Sequence, residues 1–328
     1  MKNKKTTFGV SQFTAYLESK GFAKRTQKEC FIRLNVFFKW LKTCAEHSRS
    51  KEDIQAAKPD ILNYLEHLKN KGLKNATRKN HLTALNHYFT FLYKDEQITD
   101  NPCLFLKIRG TKRKTLYKIY TPEELETLFD NYYQLYVRNY DNSHQRHDLQ
   151  RQYSALSKER NALILSVLVN QGVVVTEIGK IEIDDVDLIK ATLKIRGGKR
   201  LNERILPLKA TQIGLFMNYL QNIRPQFLEY NTNDSDKLFL SLSAIGKKST
   251  TGKLTYFFEG FTPQIKLIDK QFLNFTQIRA SVITFWLKTQ GLRKAQYLAG
   301  HRNISTTEAY LPNNLDGLID DINKLHPF

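Results

Sequence analysis

The chain has 328 residues, 41% hydrophobic and 12% aromatic, which is enough for two domains with buried cores and excludes a wholly disordered protein. No apolar run approaches the roughly 20 residues of a membrane span, and the lysine-rich start (1–7) lacks the apolar stretch of a secretion signal. Three scattered cysteines (Cys30, Cys44, Cys103) exclude a disulfide framework and a zinc site, so we expect a cytoplasmic protein without metal or cofactor.

The positive charge is large and unevenly distributed. Lys and Arg total 51 against 32 acidic residues, a formal net charge of +19. Residues 1–120 carry 25 basic and 10 acidic side chains (net +15), whereas residues 121–328 carry 26 and 22 (net +4). A polyanion that contacts mainly the first third would explain this split through counterion release. A merely soluble basic surface is the alternative, and charge alone does not separate DNA from RNA.

The first segment, residues 1–106, is predicted to be a helical domain. Four apolar stripes recur at helical spacing: Phe13, Tyr16 and Leu17; Phe31, Leu34, Phe37, Phe38 and Leu41; Leu62, Leu65 and Leu68; Leu82, Leu85, Phe89 and Leu92. Gly21 and Gly72 each follow a stripe, with Thr26 and Thr77 at the next helix start. We interpret the aromatic stripes as core rather than as base-stacking platforms.

Basic residues cluster at the predicted helix starts and in the segment that follows the first domain. Lys24, Arg25, Lys74 and Arg78 are candidate DNA contacts at the helix starts. Residues 107–120, KIRGTKRKTLYKIY, hold six basic residues and no acidic one. They form a predicted linker in which Lys112, Arg113 and Lys114 would cross phosphates. A simple solvated connector is the alternative.

A second domain is predicted over residues 121–328. Thr121-Pro-Glu-Glu124 has an N-cap residue, a proline at the first helical position and a glutamate placed for a capping box. Residues 134–158 are polar and indicate an extended helix or an insertion, and the apolar run 162–169 suits a buried helix. Residues 191–195 and 205–208, around GGKRLNE, are typical of a β-hairpin.

Four local signatures follow one another in this domain: QGVVVTEIGKIEIDDVDL (171–188), IRGGKRLNERILPL (195–208), TQIRASVITFWL (276–287) and LAGHRNISTTEAY (298–310). Because these four motifs occur in this order, the chain resembles the tyrosine recombinases, also called the phage-integrase family. The resemblance covers nearly the whole chain, and GK…ERILPL and LAGH…STTEAY are its most specific parts. It implies a mainly α fold with a small β-sheet, consisting of a helical (SAM-like) core-binding domain and an α+β catalytic domain.

The resemblance also implies the chemistry. Tyr310 matches the nucleophile that attacks a DNA phosphate and forms a 3′-phosphotyrosyl bond, which stores the energy for rejoining without ATP or metal. Lys199 matches the hairpin lysine that protonates the 5′ oxygen, and Arg200 beside it is a further candidate DNA contact. Arg279 and His301 match residues that bind the scissile phosphate. Ser305-Thr-Thr-Glu308 is expected to cap the helix that carries Tyr310.

Two positions depart from the family pattern. Val174 stands where the family's first arginine belongs, within Gly172-Val173-Val174-Val175-Thr176-Glu177. Thr276 stands where a histidine or lysine is usual. Thr276 can donate one hydrogen bond but carries no charge, and Val174 can do neither. Losing one preorganised donor costs about 10²–10³ in rate. Candidate replacement cations in the sequence are Lys180, Arg200, Arg204 and Arg302.

The tail has an amphipathic pattern, and a helix is expected at 312–326. In the family such a helix often docks into a neighbouring protomer, so the expected partners are double-stranded DNA and a homotetramer that exchanges this helix, or a partner recombinase. Folding back on its own domain is the alternative. The leading hypothesis is a site-specific recombinase of a mobile element. An inactive DNA-binding partner and a type IB topoisomerase-like enzyme stay open, and an RNA-binding protein does not explain the ordered motifs.

Overall fold

A computed structural model describes residues 8–45, 56–110, 118–141, 143, 148–198, 201–229, 236–240 and 254–311. The chain divides into two compact units, residues 1–115 and 116–328. The fold is mainly helical with one small sheet, as predicted. Within the described ranges, no helix is long and apolar enough to cross a membrane. The predicted linker bounds stay a prediction, because residues 111–117, with Lys112, Arg113 and Lys114, lie outside the described residues.

The described residues of the first unit form four helices, one for each predicted apolar stripe. They are α1 (Phe8–Ser19), α2 (Lys24–Ala45), α3 (Lys58–Asn70) and α4 (Asn75–Lys94). The aromatic residues of the predicted stripes are buried (Phe13, Phe37, Phe89) or half-buried (Tyr16, Phe31, Phe38), and the ring centroids of Phe37 and Tyr64 lie 5.0 Å apart. Leu62 is the exception, since it is exposed. The interpretation of the stripes as core is therefore confirmed.

Glycines end α1 and α3, as predicted. Gly21 and Gly72 have φ of 71° and 77°, and the next residue's N–H returns to the helix in both turns, from Phe22 to Leu17 O and from Leu73 to Leu68 O, each at 3.1 Å. The following helices begin at Lys24 and Asn75, so Thr26 and Thr77 lie in their first turns, as predicted for the start of the next helix.

The basic residues at these helix starts differ in their surroundings. Lys24, Arg25 and Lys74 are exposed. Arg78 is half-buried, and its Nε donates to Leu65 O at 3.0 Å. Arg78 therefore ties α4 to α3, whatever else it contacts.

The second unit carries the sheet and the remaining helices. In chain order it contains α5 (Pro122–Tyr133), a π-helical turn (Gln134–Arg138), α6 (Asp148–Gln171), α7 (Val175–Ile178), a 3₁₀ turn (Ile183–Asp185), β1 (Val186–Asp187), β2 (Thr192–Ile195), β3 (Arg204–Pro207), α8 (Ala210–Asn218), a second π-helical turn (Tyr219–Ile223), α9 (Arg224–Glu229), α10 (Leu254–Ile268), α11 (Phe275–Ala299) and α12 (Ile304–Glu308). The apolar run 162–169 is buried within α6, which packs against α5 and α11.

Two local predictions in this unit are confirmed. Glu124 N donates to Thr121 Oγ1 at 3.2 Å and Thr121 N donates to a Glu124 carboxylate oxygen at 2.9 Å, which is the capping box. Strands β2 and β3 pair antiparallel, with Ile195 opposite Arg204, and β1 adds a third strand beside β2.

The cap predicted at Ser305 was wrong. The N-cap of helix α12 is the extended Asn303, whose backbone carbonyl accepts the Thr306 N–H at 3.1 Å, and the helix begins at Ile304. The helix ends at Glu308, and Tyr310 lies in the turn that follows, with its N–H bonded to Thr307 O at 3.0 Å. The tail helix predicted at 312–326 lies outside the described residues.

Candidate active site

The first motif places a buried carboxylate at the centre of the site. Helix α6 ends at Gln171, and Gly172 turns the chain with φ of 55°, where a Cβ would lie 2.9 Å from Val282 Cγ1 on α11. Val174 is then the extended N-cap of α7. Its N–H donates to Glu177 Oε2 at 2.9 Å, so the carboxylate folds back over the start of its own helix.

Arg204 occupies the other side of this carboxylate. Its side chain is completely buried, with Nη1 2.7 Å from Glu177 Oε1 and Nη2 3.0 Å from Oε2. Its Nε donates to Leu298 O at 2.8 Å. A Cβ on Gly300 would lie 2.6 Å from Arg204 Nη1, so this glycine makes room for the guanidinium. Arg204 therefore links the hairpin to the segment before His301, and its engagement with Glu177 rules it out as a replacement cation.

Arg279 lies beside this pair, early in α11. Asn274 caps the helix by accepting the Thr276 N–H at 2.9 Å. Arg279 Nη1 donates to Gly172 O at 2.6 Å and lies 4.0 Å from Glu177 Oε2, while Nη2 donates to Ala299 O at 2.7 Å. Burial lowers the pKa of Arg279, and the charge of Glu177 opposes that shift. The guanidinium stays a cation.

His301 completes the buried group, and its contacts fix its tautomer. Arg279 Nη2 lies 3.1 Å from His301 Nε2. Because a guanidinium only donates, Nε2 accepts, and the proton sits on Nδ1, which donates to Thr307 Oγ1 at 2.9 Å. Burial and the charges of Arg279 and Arg204 lower the pKa of His301 to about 4. His301 is therefore neutral at pH 7.

Tyr310 lies directly against these residues. Its ring is stacked on that of His301, with centroids 5.8 Å apart and planes 13° from parallel. The Tyr310 hydroxyl also interacts with Arg279 and raises the pKa of that guanidinium. The three residues predicted from the third and fourth motifs, Arg279, His301 and Tyr310, are thus brought together in one place.

The other predicted site residues are placed differently. Thr276 is exposed in the first turn of α11, and within the described residues its side chain makes no hydrogen bond to this group. Lys199 and Arg200 lie outside the described residues. Their neighbours pack beside the site, since Asn202 N donates to Gly300 O at 2.8 Å and Leu201 pairs with His301 in an isolated β-bridge.

The motifs did not identify Arg204 as a buried residue of the site. In the sequence Arg204 is only a candidate replacement cation, yet it shares the buried face of β3 with Leu206. Arg204 and Leu206 are buried whereas Ile205 and Pro207 are exposed. Because residues two apart in a strand share a face, this spacing is the signal that could have placed an arginine in the interior. Its partner Glu177 is the acidic residue of the first motif.

No group of three or more His, Cys, Asp or Glu side chains that could hold a metal ion occurs in the part of the chain that the structure describes. The guanidinium of Arg279 is a buried cation that can bind an anion. The phenol of Tyr310, a possible nucleophile, lies against the same group.

Comparison with known proteins agrees with this arrangement. Residues 144–315 match the model of the phage integrase family, and residues 10–96 match that of the phage integrase N-terminal SAM-like domain. The chain is 23% identical over 322 residues to tyrosine recombinase XerD of Oceanobacillus iheyensis, covering 98% of each chain. It is 26% identical over 276 residues to tyrosine recombinase XerC of Natranaerobius thermophilus, covering 81% of this chain and 82% of the relative.

A solved structure shares the fold. The XerH site-specific recombinase bound to palindromic difH substrate superposes with a TM-score of 0.66 at 19% identity, covering 96% of this chain and 94% of that one.

The buried ion pair predicts a large effect on stability. Arg204→Met is expected to lower the free energy of unfolding by about 3–5 kcal/mol, because it leaves the Glu177 carboxylate buried without its bidentate partner. Lys194→Met is the matched control, since Lys194 forms an exposed pair with Glu203 at 3.1 Å in the same hairpin and should cost at most about 1 kcal/mol. Urea denaturation measures both, and equal costs would contradict the assigned role of Arg204.

The lowered pKa of His301 predicts a pH dependence of stability. The unfolded chain binds a proton at this histidine near its ordinary pKa of 6.5, whereas the folded protein binds it only near 4. The free energy of unfolding should therefore fall as the pH drops from about 6.5 towards 4. His301→Gln should flatten this fall in urea unfolding at stepped pH. His81 and His87 also have lowered pKa values, but they are present in both the wild type and the variant. A difference in free energy of unfolding between the two proteins that does not change with pH would therefore contradict the assignment.

Proposed function

Because this chain belongs to the phage integrase family of tyrosine recombinases, we propose that it is a site-specific DNA recombinase that cuts and rejoins DNA through Tyr310. The observation that carries the proposal is the stacking of Tyr310 on His301 beside the buried Arg279. A nucleophile and two phosphate ligands thus share one site.

The first step is an attack of the Tyr310 oxygen on the scissile phosphorus. The new bond is a 3′-phosphotyrosine, and the bond that breaks joins phosphorus to the 5′ oxygen. The phenol loses its proton to solvent as it attacks, and Lys199 gives a proton to the departing 5′ oxygen and later regains one from solvent, so protons balance. Rejoining reverses these steps with a 5′-hydroxyl as the nucleophile.

Arg279 and His301 would change partners when the phosphate binds. In the free protein His301 Nε2 accepts from Arg279 Nη2, so it offers no proton to a ligand. A bound phosphate competes for the Arg279 N–H and, as an anion, raises the pKa of His301. The imidazole would then be able to donate from Nε2 to a non-bridging oxygen.

Contact with duplex DNA is supported by charge. The excess of basic residues lies in the first 120 residues, and Lys24, Arg25 and Lys74 are exposed at the N-terminal ends of α2 and α4. Most such residues would touch phosphate rather than bases.

The finer parts of the proposal rest on the family resemblance. The protein would act on a mobile genetic element and bring about its integration or transposition. It would do so as a tetramer around two duplexes. Exchange of the tail helix (312–326) between protomers would assemble that tetramer.

A second candidate function is that of a DNA-binding partner without cleavage activity. Val174 favours it, because valine offers neither charge nor a side-chain hydrogen bond where the family places an arginine. Retention of Arg279, His301 and Tyr310 around one buried group favours the active enzyme.

Covalent trapping separates these functions. The protein is incubated with nicked duplexes that tile the ends of its own genetic element, so that loss of the short 5′-hydroxyl strand prevents rejoining. We expect a denaturation-resistant protein–DNA band that Tyr310→Phe abolishes. Tyr297→Phe, which alters an exposed tyrosine of α11, should retain it. Tight DNA binding without a band would favour the inactive partner, and relaxation of plasmids that lack any of these sequences would favour a topoisomerase.

A further inference from the structure

The charge inside the site is smaller than the reaction requires. Arg204 and Arg279 are buried cations, Glu177 is a buried carboxylate and His301 is neutral, which leaves one net positive charge. A phosphodiester carries one negative charge, and attack by a phenolate brings a second into the transition state. Val174 supplies none of the balance. Lys199, the expected general acid, gives its positive charge away with its proton during the step. If the enzyme is active, a further cation must therefore reach the phosphate from the rim of the site.

Two cations converge beside the hairpin at Gly198. Arg302 Nη2 donates to Gly198 O at 2.9 Å. Lys180 approaches the same residue, since a Cβ on Gly198 would lie 3.3 Å from Lys180 Nζ. Lys180 follows α7, the helix that Val174 caps, and Gly198 immediately precedes Lys199 in the sequence. The two charges therefore lie at the hairpin expected to carry the general acid.

Neither cation is neutralised. Lys180 and Arg302 are exposed, and within the described residues neither lies within 4.0 Å of a carboxylate oxygen. Two other cations in the described part of this hairpin are paired: Lys194 with Glu203, and Arg196 with Glu182 and Asp185. Two exposed, unpaired positive charges held together repel each other, and an anion between them relieves that cost.

The backbone directs Arg302 to the rim and His301 to the interior. The bridge between Leu201 and His301 and the Asn202 N–H bond to Gly300 O align the hairpin with residues 300–302. His301 is 4% exposed and stacks on Tyr310, whereas Arg302 is exposed. Exchanging the Gly198 carbonyl for a phosphate oxygen would cost Arg302 one exposed hydrogen bond.

We propose that Lys180 and Arg302 bind the phosphate under attack and supply the positive charge that Val174 lacks. The inference rests on the proposed recombinase function, which it completes by naming two further phosphate ligands.

The test is the cleavage rate on a nicked duplex at saturating protein. Lys180→Met and Arg302→Met are each expected to slow adduct formation about 10- to 100-fold, and the double variant about 10²–10³-fold. Lys190→Met is the matched control: Lys190 is an exposed lysine at the opposite end of β2, paired with Asp187, and its loss should leave the rate within about twofold of wild type.

Two rescues distinguish phosphate binding from a role in holding the hairpin. A duplex with an uncharged methylphosphonate at the scissile position needs less positive charge, so the double variant should approach the wild-type rate on it. Val174→Arg should likewise restore cleavage of ordinary DNA by the double variant. A hairpin-holding role would be corrected by neither change.

The outcomes are distinguishable. An adduct in wild type with unchanged rates in the double variant overturns this inference and leaves the recombinase function standing. Slowing that neither rescue corrects overturns the inference in favour of hairpin support. Slowing that is seen only below saturating protein overturns it in favour of general DNA binding. No adduct from wild type on any duplex overturns both proposals.

Discussion

The arrangement of the site depends on one buried carboxylate. The Glu177 carboxylate accepts hydrogen bonds from both terminal nitrogens of Arg204 and from the Val174 N–H. Its Oε2 also lies 4.0 Å from Arg279 Nη1. It thereby joins the start of α7, strand β3 and helix α11, three elements far apart in sequence. Without this carboxylate two buried guanidinium groups would repel each other, and burying such charges unpaired is costly.

The same cluster sets the state of the groups nearest the expected phosphate. Burial and two neighbouring guanidiniums lower the pKa of His301 and hold it neutral, and Arg279 occupies its unprotonated nitrogen. Tyr310 stacks on that neutral ring. An arriving anion would meet side chains that the fold already holds in place. It would compete for the N–H groups of Arg279 and would itself alter the protonation of His301. The electrostatic balance thus couples substrate binding to the chemistry that we propose.

Local signals in the sequence predicted much of this structure. The apolar stripes predicted the four helices described in the first unit, Thr121-Pro-Glu-Glu124 predicted a helix start, and residues 191–195 and 205–208 around GGKRLNE predicted the hairpin. These features depend on neighbours within a few residues. The tertiary features were not predictable in this way: Arg204 takes its partner from 27 residues earlier in the chain. Helix α12 begins at Ile304 rather than after Ser305, because Asn303, two residues after the bridge at His301, is extended and serves as the N-cap. The roles of the site residues remain predictions.

Mass spectrometry of the protease-digested covalent complex tests the central claim most directly, because it identifies the side chain that attacks DNA. The proposed mechanism predicts a nucleotide attached through its 3′-phosphate to the peptide that contains Tyr310, with a free 5′-hydroxyl on the other DNA fragment. A nucleotide on any other residue, or unmodified peptides from protein that is fully bound to intact DNA, would contradict it.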